Sequence, residues 1–417
     1  MLTKVIKVER ISFEYNFFVD MITVEEVDKL IEKNLLNTDV ESVSLMNSLG
    51  RVLAEDIFAD RDFPPFNRVM MDGIAIRYTD WVAGVREFTI QGLQPAGAPT
   101  TSLHESGSCI EVMTGAVCPA QSDTIIKYEN VNLENGKAIV DADHEINAKQ
   151  HVHPQGSDRA LNEMLIPKGG IITASEIGVL ATVGKETILV RKRLKVAIVA
   201  TGDELVDVNE MPKPHQIRKS NVYTLQAALK EKGFDSNIFH IVDNKEQLRK
   251  SLETILNNHE IVILSGGVSK GKLDFVPEIL SELGVEKAFH FVKQRPGKPF
   301  WFGTYKNGAV FALPGNPASS FVGLNRYVIP FLFRSEGTEP KKTMARLAED
   351  FSFKPDLTYF LQVKLTYDKD GYLTATPHKG NGSGDLTNLV EADGLLEIPM
   401  GKTDFKKGEV FDCMVYR

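Results

Sequence analysis

At 417 residues the chain is too long for one ordinary hydrophobic core; at ~100–200 residues per domain it should fold as several. Its composition, 42% hydrophobic and 25% charged, excludes collagen-like, coiled-coil and disordered classes, and a net charge of −8 argues against general nucleic-acid binding. The cysteines Cys109, Cys118 and Cys413 form no C-x-x-C pair, so a disulfide framework is not expected and a reducing cytoplasm fits. No apolar run reaches the ~18 residues of a membrane span, and the first twenty residues lack a signal-peptide core.

Residues 1–20 read as an extension without pattern. Thr23 and Glu26 then have capping-box spacing, and Val27, Leu30, Ile31 and Leu35 line one face, which predicts a helix over 22–36. From about 42 to 160 short strands and turns alternate. Phe88–Ile90, Ser108–Val112 and Asp123–Lys127 are strand-like, and Asn135-Gly136 is a hairpin turn. Ser175–Leu180 reads as a short helix and Thr187–Val190 as a strand.

The texture changes at 194. Apolar strands at 194–200, 238–242, 260–264 and 308–313 alternate with helical patterns, which predicts a parallel sheet with helices on both faces. The last of these helices should end near Pro330. From 336 onward strands return at 359–365, 372–376 and 410–415, with a turn at Asp370-Gly371, so a small all-β domain is expected.

In an open α/β sheet, ligands bind beyond the carboxyl ends of the strands. Three unusual loops should lie there. The first, Thr201-Gly202-Asp203-Glu204, ends in two carboxylates; the second is Ser265-Gly266-Gly267-Val268-Ser269, reaching Asp274; the third is Pro314-Gly315-Asn316-Pro317. Glycines let backbone N–H groups approach an anion, and helix N-termini favour negative charge. A phosphate-bearing ligand is one reading. Plain turns and a polar helix start are the other. If a phosphate binds, Asp203, Glu204 and Asp274 call for a bridging hard cation, for which Mg2+ is the natural choice.

Elsewhere the residues are less telling. Arg295-Pro296-Gly297-Lys298 sets cations around a turn, either as a solvated loop or as an oxyanion site. Pro64-Pro65-Phe66 leading to Asp72-Gly73 reads as a proline-stiffened loop. His151 and His153, spaced i, i+2 with no nearby cysteine, read as surface histidines and not as metal ligands.

Taken in order, these segments resemble the MoeA-type molybdopterin molybdenumtransferases, the family that includes the C-terminal domain of gephyrin. The match runs through Met71-Asp72-Gly73, Met113-Thr114-Gly115-Ala116, Gly156-Ser157-Asp158, Thr201-Gly202-Asp203-Glu204-Leu205, Ser265-Gly266-Gly267-Val268-Ser269, Arg295-Pro296-Gly297-Lys298-Pro299 and Leu313-Pro314-Gly315-Asn316-Pro317. It covers nearly everything from Met21 onward.

The resemblance implies a multidomain α/β plus β fold in an elongated subunit. Residues 21–45 and 160–190 would form a linking domain and 46–159 a β-rich domain. Residues 191–335 would form the parallel, doubly wound α/β domain, and 336–417 a small β-barrel-like domain. It implies an enzyme that inserts molybdenum from molybdate into adenylated molybdopterin with release of AMP, using Mg2+. Asp203, Glu204 and Asp274 would handle the metal. Thr201, Gly202, Ser265, Gly266, Gly267, Ser269 and the loop Pro314, Gly315, Asn316, Pro317 would hold the substrate. Arg295, Lys298 and Ser383 would face molybdate; Asp72, Thr114 and Asp158 would complete the cleft, with Asp72, Asp158, Glu204 and Asp274 catalytic.

The resemblance further implies a cytoplasmic homodimer with a site shared between subunits, and the adenylyltransferase of the same pathway as a partner. A molybdopterin adenylyltransferase is a weaker match, since that family is typically the α/β domain alone. A gephyrin-like scaffold would need a long linker and a second α/β domain. The chain departs from the family's usual pattern in Asn67 and Arg68, which replace the first acid of its Asp-containing motif and introduce a cation, and near Gln362, where the family often has an arginine.

Overall fold

The computed structural model describes residues 21–141, 143–242, 244–268 and 275–417. Residues 1–20, Ser269 and Asp274 lie outside these described residues.

The first helix, Val24–Lys33, forms as its cap predicts. The Thr23 hydroxyl accepts from the Glu26 N–H and the Glu26 carboxylate accepts from the Thr23 N–H. Its buried face, Val24, Val27 and Ile31, packs with Leu194, Val222 and Val328 in the core of the α/β unit. Ile22 also bridges to Val292. The helix's apolar stripe is thus covered by the α/β sheet and its helices. A separate small core gathers Leu53, Ile57, Ile172, Leu180, Ile188 and Val190. There strand Val40–Ser44 pairs antiparallel with Thr187–Arg191, and a second capping box, Thr173 with Glu176, opens helix Ala174–Thr182.

The β-rich unit is a six-stranded sheet in the spatial order 124–127, 73–76, 108–112, 87–94, 137–140, 131–134. Alternate residues serve two cores: Ile74, Ile76 and Cys109 face one, Ala75, Ile110 and Ile125 the other. This follows from the period-2 geometry of strands. At the expected hairpin, Asn135 and Gly136 both have positive φ, +50° and +76°, as a two-residue turn between twisted strands requires.

The α/β unit holds a six-stranded sheet in the order 236–241, 196–201, 261–265, 308–313, 299–305, 286–291. The first four strands are parallel as expected. Pro299–Tyr305 is not: it runs antiparallel to both of its neighbours, so the sheet is mixed. Only Lys306 and Asn307 separate it from Gly308–Leu313, and a loop that short can join only antiparallel strands. Both faces are covered. Val196, Ile198, Ile261 and Phe311 pack under helices 24–33, 220–231 and 317–335; Ala197, Val199, Val262 and Leu264 pack under 245–258 and 276–282. At ~1.5–3 kcal/mol for each fully buried aliphatic side chain, these two layers dominate the unit's stability. The last helix does not stop at Pro330. A π-helical turn, Leu324–Val328, precedes it and the helix runs on to Ser335. That turn accommodates a residue with no N–H to donate.

The C-terminal strands close on themselves. Thr358–Tyr367 pairs with Leu373–Pro377, which pairs with Thr343–Leu347, then Val410–Val415, then Gly394–Ile398, which returns to Thr358–Tyr367. This five-stranded barrel encloses Leu347, Leu361, Val363, Ala375 and Leu396. Gln294–Arg295 adds to strand 358–367 in parallel and fastens the barrel to the α/β unit. Arg326 fastens it again, binding Asp28 at 2.8 and 2.7 Å and Glu397 at 2.8 Å. Among the described residues no helix is long and apolar enough to cross a membrane.

Candidate active site

Strand register sets the three loops side by side. Ala200 is level with Ser265, and Ser265 with Leu313, so the segments after them emerge at one edge. Gly266 and Gly267 sit at φ +106° and +69°, and the Gly266 N–H donates to the Leu313 carbonyl at 3.1 Å. A side chain at Gly266 would come within 3.2 Å of Thr201, and one at Gly267 within 2.7 Å of Val276. The glycines therefore let this loop lie against the end of strand 196–201. A cleft of about 650 Å³ opens over these loops. Thr201, Gly202, Glu204, Ser265, Gly266, Gly267 and Pro314, Gly315, Asn316 and Pro317 all line it.

Glu204 turns its carboxylate back over Gly202, where an added Cβ would lie 2.5 Å from Glu204 Oε2. Asp203 shares this turn. The Thr201 hydroxyl is buried and has no hydrogen-bond partner among the described residues. Sequence reasoning missed Lys219 and Asn221 in the same cleft. Asn221 Nδ2 donates to Ser265 Oγ at 3.0 Å and to the Gly315 carbonyl at 2.7 Å, tying the second and third loops together. Lys219 pairs with Asp207 at 2.9 Å and holds that carboxyl below its usual range. The signal available was Arg218-Lys219-Ser220-Asn221, a polar cluster at the start of helix 220–231.

A second cavity of about 560 Å³ adjoins the first and shares Pro299, Pro314 and Asn316 with it. Arg295, Lys298 and Ser383 line it, together with Gln362 and His378. The turn carrying both cations is braced from below. Buried Gln294 donates to the Pro296 and Gly297 carbonyls at 3.2 and 3.1 Å and accepts from the Tyr327 hydroxyl. The Arg295 guanidinium lies 5.8 Å from the Tyr359 ring centre and 5.9 Å from that of Phe353. Burial raises the Tyr359 hydroxyl above its ordinary pKa, and Arg295 partly offsets this. At Gln362 the side chain accepts from Asn388, forming an amide pair.

Asp72, Thr114 and Asp158 line neither cavity. Asp72 and Thr114 bond to each other, and Asp158 pairs separately with His153. Asp72 Oδ1 accepts from the Thr114 hydroxyl at 2.7 Å and its N–H at 2.6 Å; these two bonds, the hydroxyl's first, hold the carboxyl below its usual range. Asp158 Oδ1 lies 2.9 Å from His153 Nε2, and His153 Nδ1 lies 3.1 Å from Arg68 Nη2. His153 is thus a bridging residue more than a plain surface one. No group of three or more His, Cys, Asp or Glu side chains able to hold a metal occurs among the described residues.

Comparison with known proteins covers most of the chain. Residues 22–184 match the MoeA N-terminal region (domains I and II), 197–334 a probable molybdopterin binding domain, and 344–416 the MoeA C-terminal region (domain IV). The chain is 37% identical over 394 residues to a molybdopterin molybdenumtransferase of Synechocystis sp., covering 94% of this chain and 99% of that one. It is 31% identical to a second, from Staphylococcus epidermidis, over 94% and 95% of the two chains. The crystal structure of a molybdopterin biosynthesis MoeA protein from Pyrococcus horikoshii OT3 superimposes with a TM-score of 0.79 at 28% identity, covering 95% of this chain and all of that one. With its regions matched in order and identity sustained almost end to end, this chain belongs to the MoeA family.

Proposed function

We propose that this enzyme transfers molybdenum from molybdate to adenylated molybdopterin and releases AMP, the insertion step of molybdenum cofactor biosynthesis. One observation carries the reading: two cavities, one lined by glycine loops and one by Arg295 and Lys298, meet at Pro299, Pro314 and Asn316. The first offers side-chain-free glycine backbone and a buried Thr201 hydroxyl to phosphate oxygens. The second offers two cations to a dianion of molybdate's charge. An adenylated pterin lying across the shared wall would place its dithiolene toward the cations and its phosphates over the glycines.

Of the acidic pair after strand 196–201, Glu204 lines the first cavity and would hold Mg2+ together with substrate phosphates. Asp203 and Glu204 are adjacent hard-oxygen donors at a strand end, and Mg2+ is commonly held by one or two carboxylates plus substrate phosphates. Asp274 would add a third. Charge neutralisation on the departing nucleotide phosphate is the chemistry that Mg2+ supplies when bound. The protein's own part is to hold the phosphates still against Ser265, Gly266 and Gly267, and to keep molybdate beside Arg295, Lys298 and Ser383.

The working form is a homodimer with composite sites. Asp72, Thr114 and Asp158 stand apart from both cavities, and a second subunit can bring them there. The linking unit also exposes apolar side chains: cross-strand partners Phe58 and Met164, each 48% exposed, lie near Leu161, 53% exposed. The buried, unpaired cysteines suit the cytoplasm, where the adenylyltransferase that supplies the substrate would be the natural partner. Purified protein given adenylated molybdopterin and molybdate should release AMP in a molybdate-dependent manner. Adenylation of molybdopterin from ATP, or no turnover of either substrate, would reject the assignment in favour of an adenylyltransferase or a scaffold.

A further inference from the structure

We propose that His153 is a positioning residue for the Asp158 carboxylate, with Arg68 setting the tautomer of its ring. This rests on the reading that Asp158 belongs to the composite site. The guanidinium of Arg68 has only N–H donors, so the Nδ1 that faces it at 3.1 Å must carry the lone pair. The proton of the neutral ring is then on Nε2, which donates to Asp158 Oδ1 at 2.9 Å. Donor and acceptor alternate along the chain Arg68, His153, Asp158 without a conflict.

The arrangement is built into the backbone. Arg68 and His153 are directly opposite in an antiparallel pair of strands. The turn that delivers His153 uses two non-glycine residues in the left-handed region, Lys149 at φ +62° and His151 at φ +57°. Such residues persist only where their surroundings impose the conformation. Those surroundings are visible: Met70 N–H donates to the His151 carbonyl at 2.9 Å, and Lys149 N–H to the Thr124 hydroxyl at 3.0 Å. Asp158 is pinned from its other side, its N–H donating to the Phe63 carbonyl at 2.8 Å.

Stability does not explain the arrangement. Asp158 is 55% exposed, and ion pairs so exposed contribute little. What the tether does is hold Oδ1 of a carboxylate that stays 55% exposed. The strand that carries Arg68 also accepts at its Val69 carbonyl from Gly115 N–H at 2.9 Å, next to the Thr114 that holds Asp72. Two carboxylates are thus oriented from one platform, Asp72 by Thr114 and Asp158 by His153.

The test uses the full chain with ¹⁵N-labelled histidine. Long-range ¹H–¹⁵N spectra should show His153, identified by its loss in His153→Gln, as the neutral Nε2–H tautomer, and Arg68→Ala should mix the tautomers. In the AMP-release assay His153→Leu should lower kcat about 10- to 100-fold, the usual size for removing a hydrogen-bonded support of a reacting group. Its KM for molybdate should stay within about twofold, because positioning acts on the reacting state. His153→Gln, which keeps a donor near Nε2, should recover most of the loss. An Nδ1–H tautomer in the unaltered protein overturns the proposal whether or not the leucine variant folds. So does a folded His153→Leu with normal kcat alongside an inactive Asp158→Asn, and then the assignment of Asp158 stands alone. Normal turnover by Asp158→Asn removes Asp158 from the site and the proposal with it.

Discussion

The side-chain amide of Asn316 donates to the Ser383 hydroxyl across 2.7 Å, joining the third loop of the α/β sheet to a loop of the barrel. The Ser383 carbonyl completes the link by accepting from Ala318 N–H at 3.0 Å. The contact stands at the wall between the two cavities, so it sets the distance between the glycine-loop side and the cation side.

Ser383→Ala should therefore act on molybdate more than on the nucleotide. One lost hydrogen bond of about 1 kcal/mol predicts a rise in the molybdate KM of roughly fivefold, with AMP affinity unchanged. Steady-state kinetics with molybdate varied, beside calorimetric titration of AMP, separates the two effects. Equal losses in both would mean that the link supports the whole cleft.

Gly202 occupies φ +138° under the Glu204 carboxylate. In Gly202→Ala a Cβ 2.5 Å from Glu204 Oε2 must push that carboxylate away while the backbone takes a conformation that side chains disfavour. The expected cost is about 1–3 kcal/mol of stability and most of the Mg2+-dependent AMP release. Thermal melting and turnover at several Mg2+ concentrations check both. A variant with normal activity would place Glu204 outside the chemistry.

Glu336 is buried where the α/β unit meets residues 50–51, 3.5 Å from Arg193, and its Oε1 has no hydrogen-bond partner among the described residues. Burial, partly countered by Arg193, pushes its carboxyl up to about 7. An unfolded glutamate titrates near ~4.3. Between these values the folded chain holds a proton that the unfolded chain has lost, so this group's contribution to stability falls as pH rises through that window. Glu336→Gln should therefore gain on the wild-type protein from pH 5 to pH 8, by on the order of 2–3 kcal/mol. Urea midpoints at the two pH values measure it; a constant difference between the proteins would show that Glu336 is ionised in the fold throughout.

The composite site predicts complementation. Asp72→Ala and Glu204→Ala homodimers should each be nearly inactive. In a mixed dimer one site collects both defects and the other is intact, so random exchange of equal amounts should restore about a quarter of wild-type activity. A mixture as inactive as its parents, with exchange confirmed by mass spectrometry, would place both residues in one subunit's site.

Much of this architecture was written locally in the sequence. The Thr23–Glu26 capping box, the turns at Asn135-Gly136 and Asp370-Gly371, and the apolar strands running into Thr201 and Ser265 all depend on neighbours a few residues away, and all formed as read. The glycine loops could even be placed on one sheet edge, because alternating strands and helices dictate which ends of the strands coincide. Other features depend on partners far away in the chain. Whether helix 24–33 belongs to the α/β core was decided by which apolar surface covers Val27 and Ile31. The antiparallel turn of Pro299–Tyr305 was decided by pairing with strands on either side, and the closure of the barrel by Gly394–Ile398 meeting Thr358–Tyr367. Asn221 in the cleft and the Arg68–His153–Asp158 chain are of the same kind. Sequence spacing carries the period of a helix or a strand, but it does not say which side chains meet at sequence separations of 44 or 85; packing and register settle that only when the chain is folded.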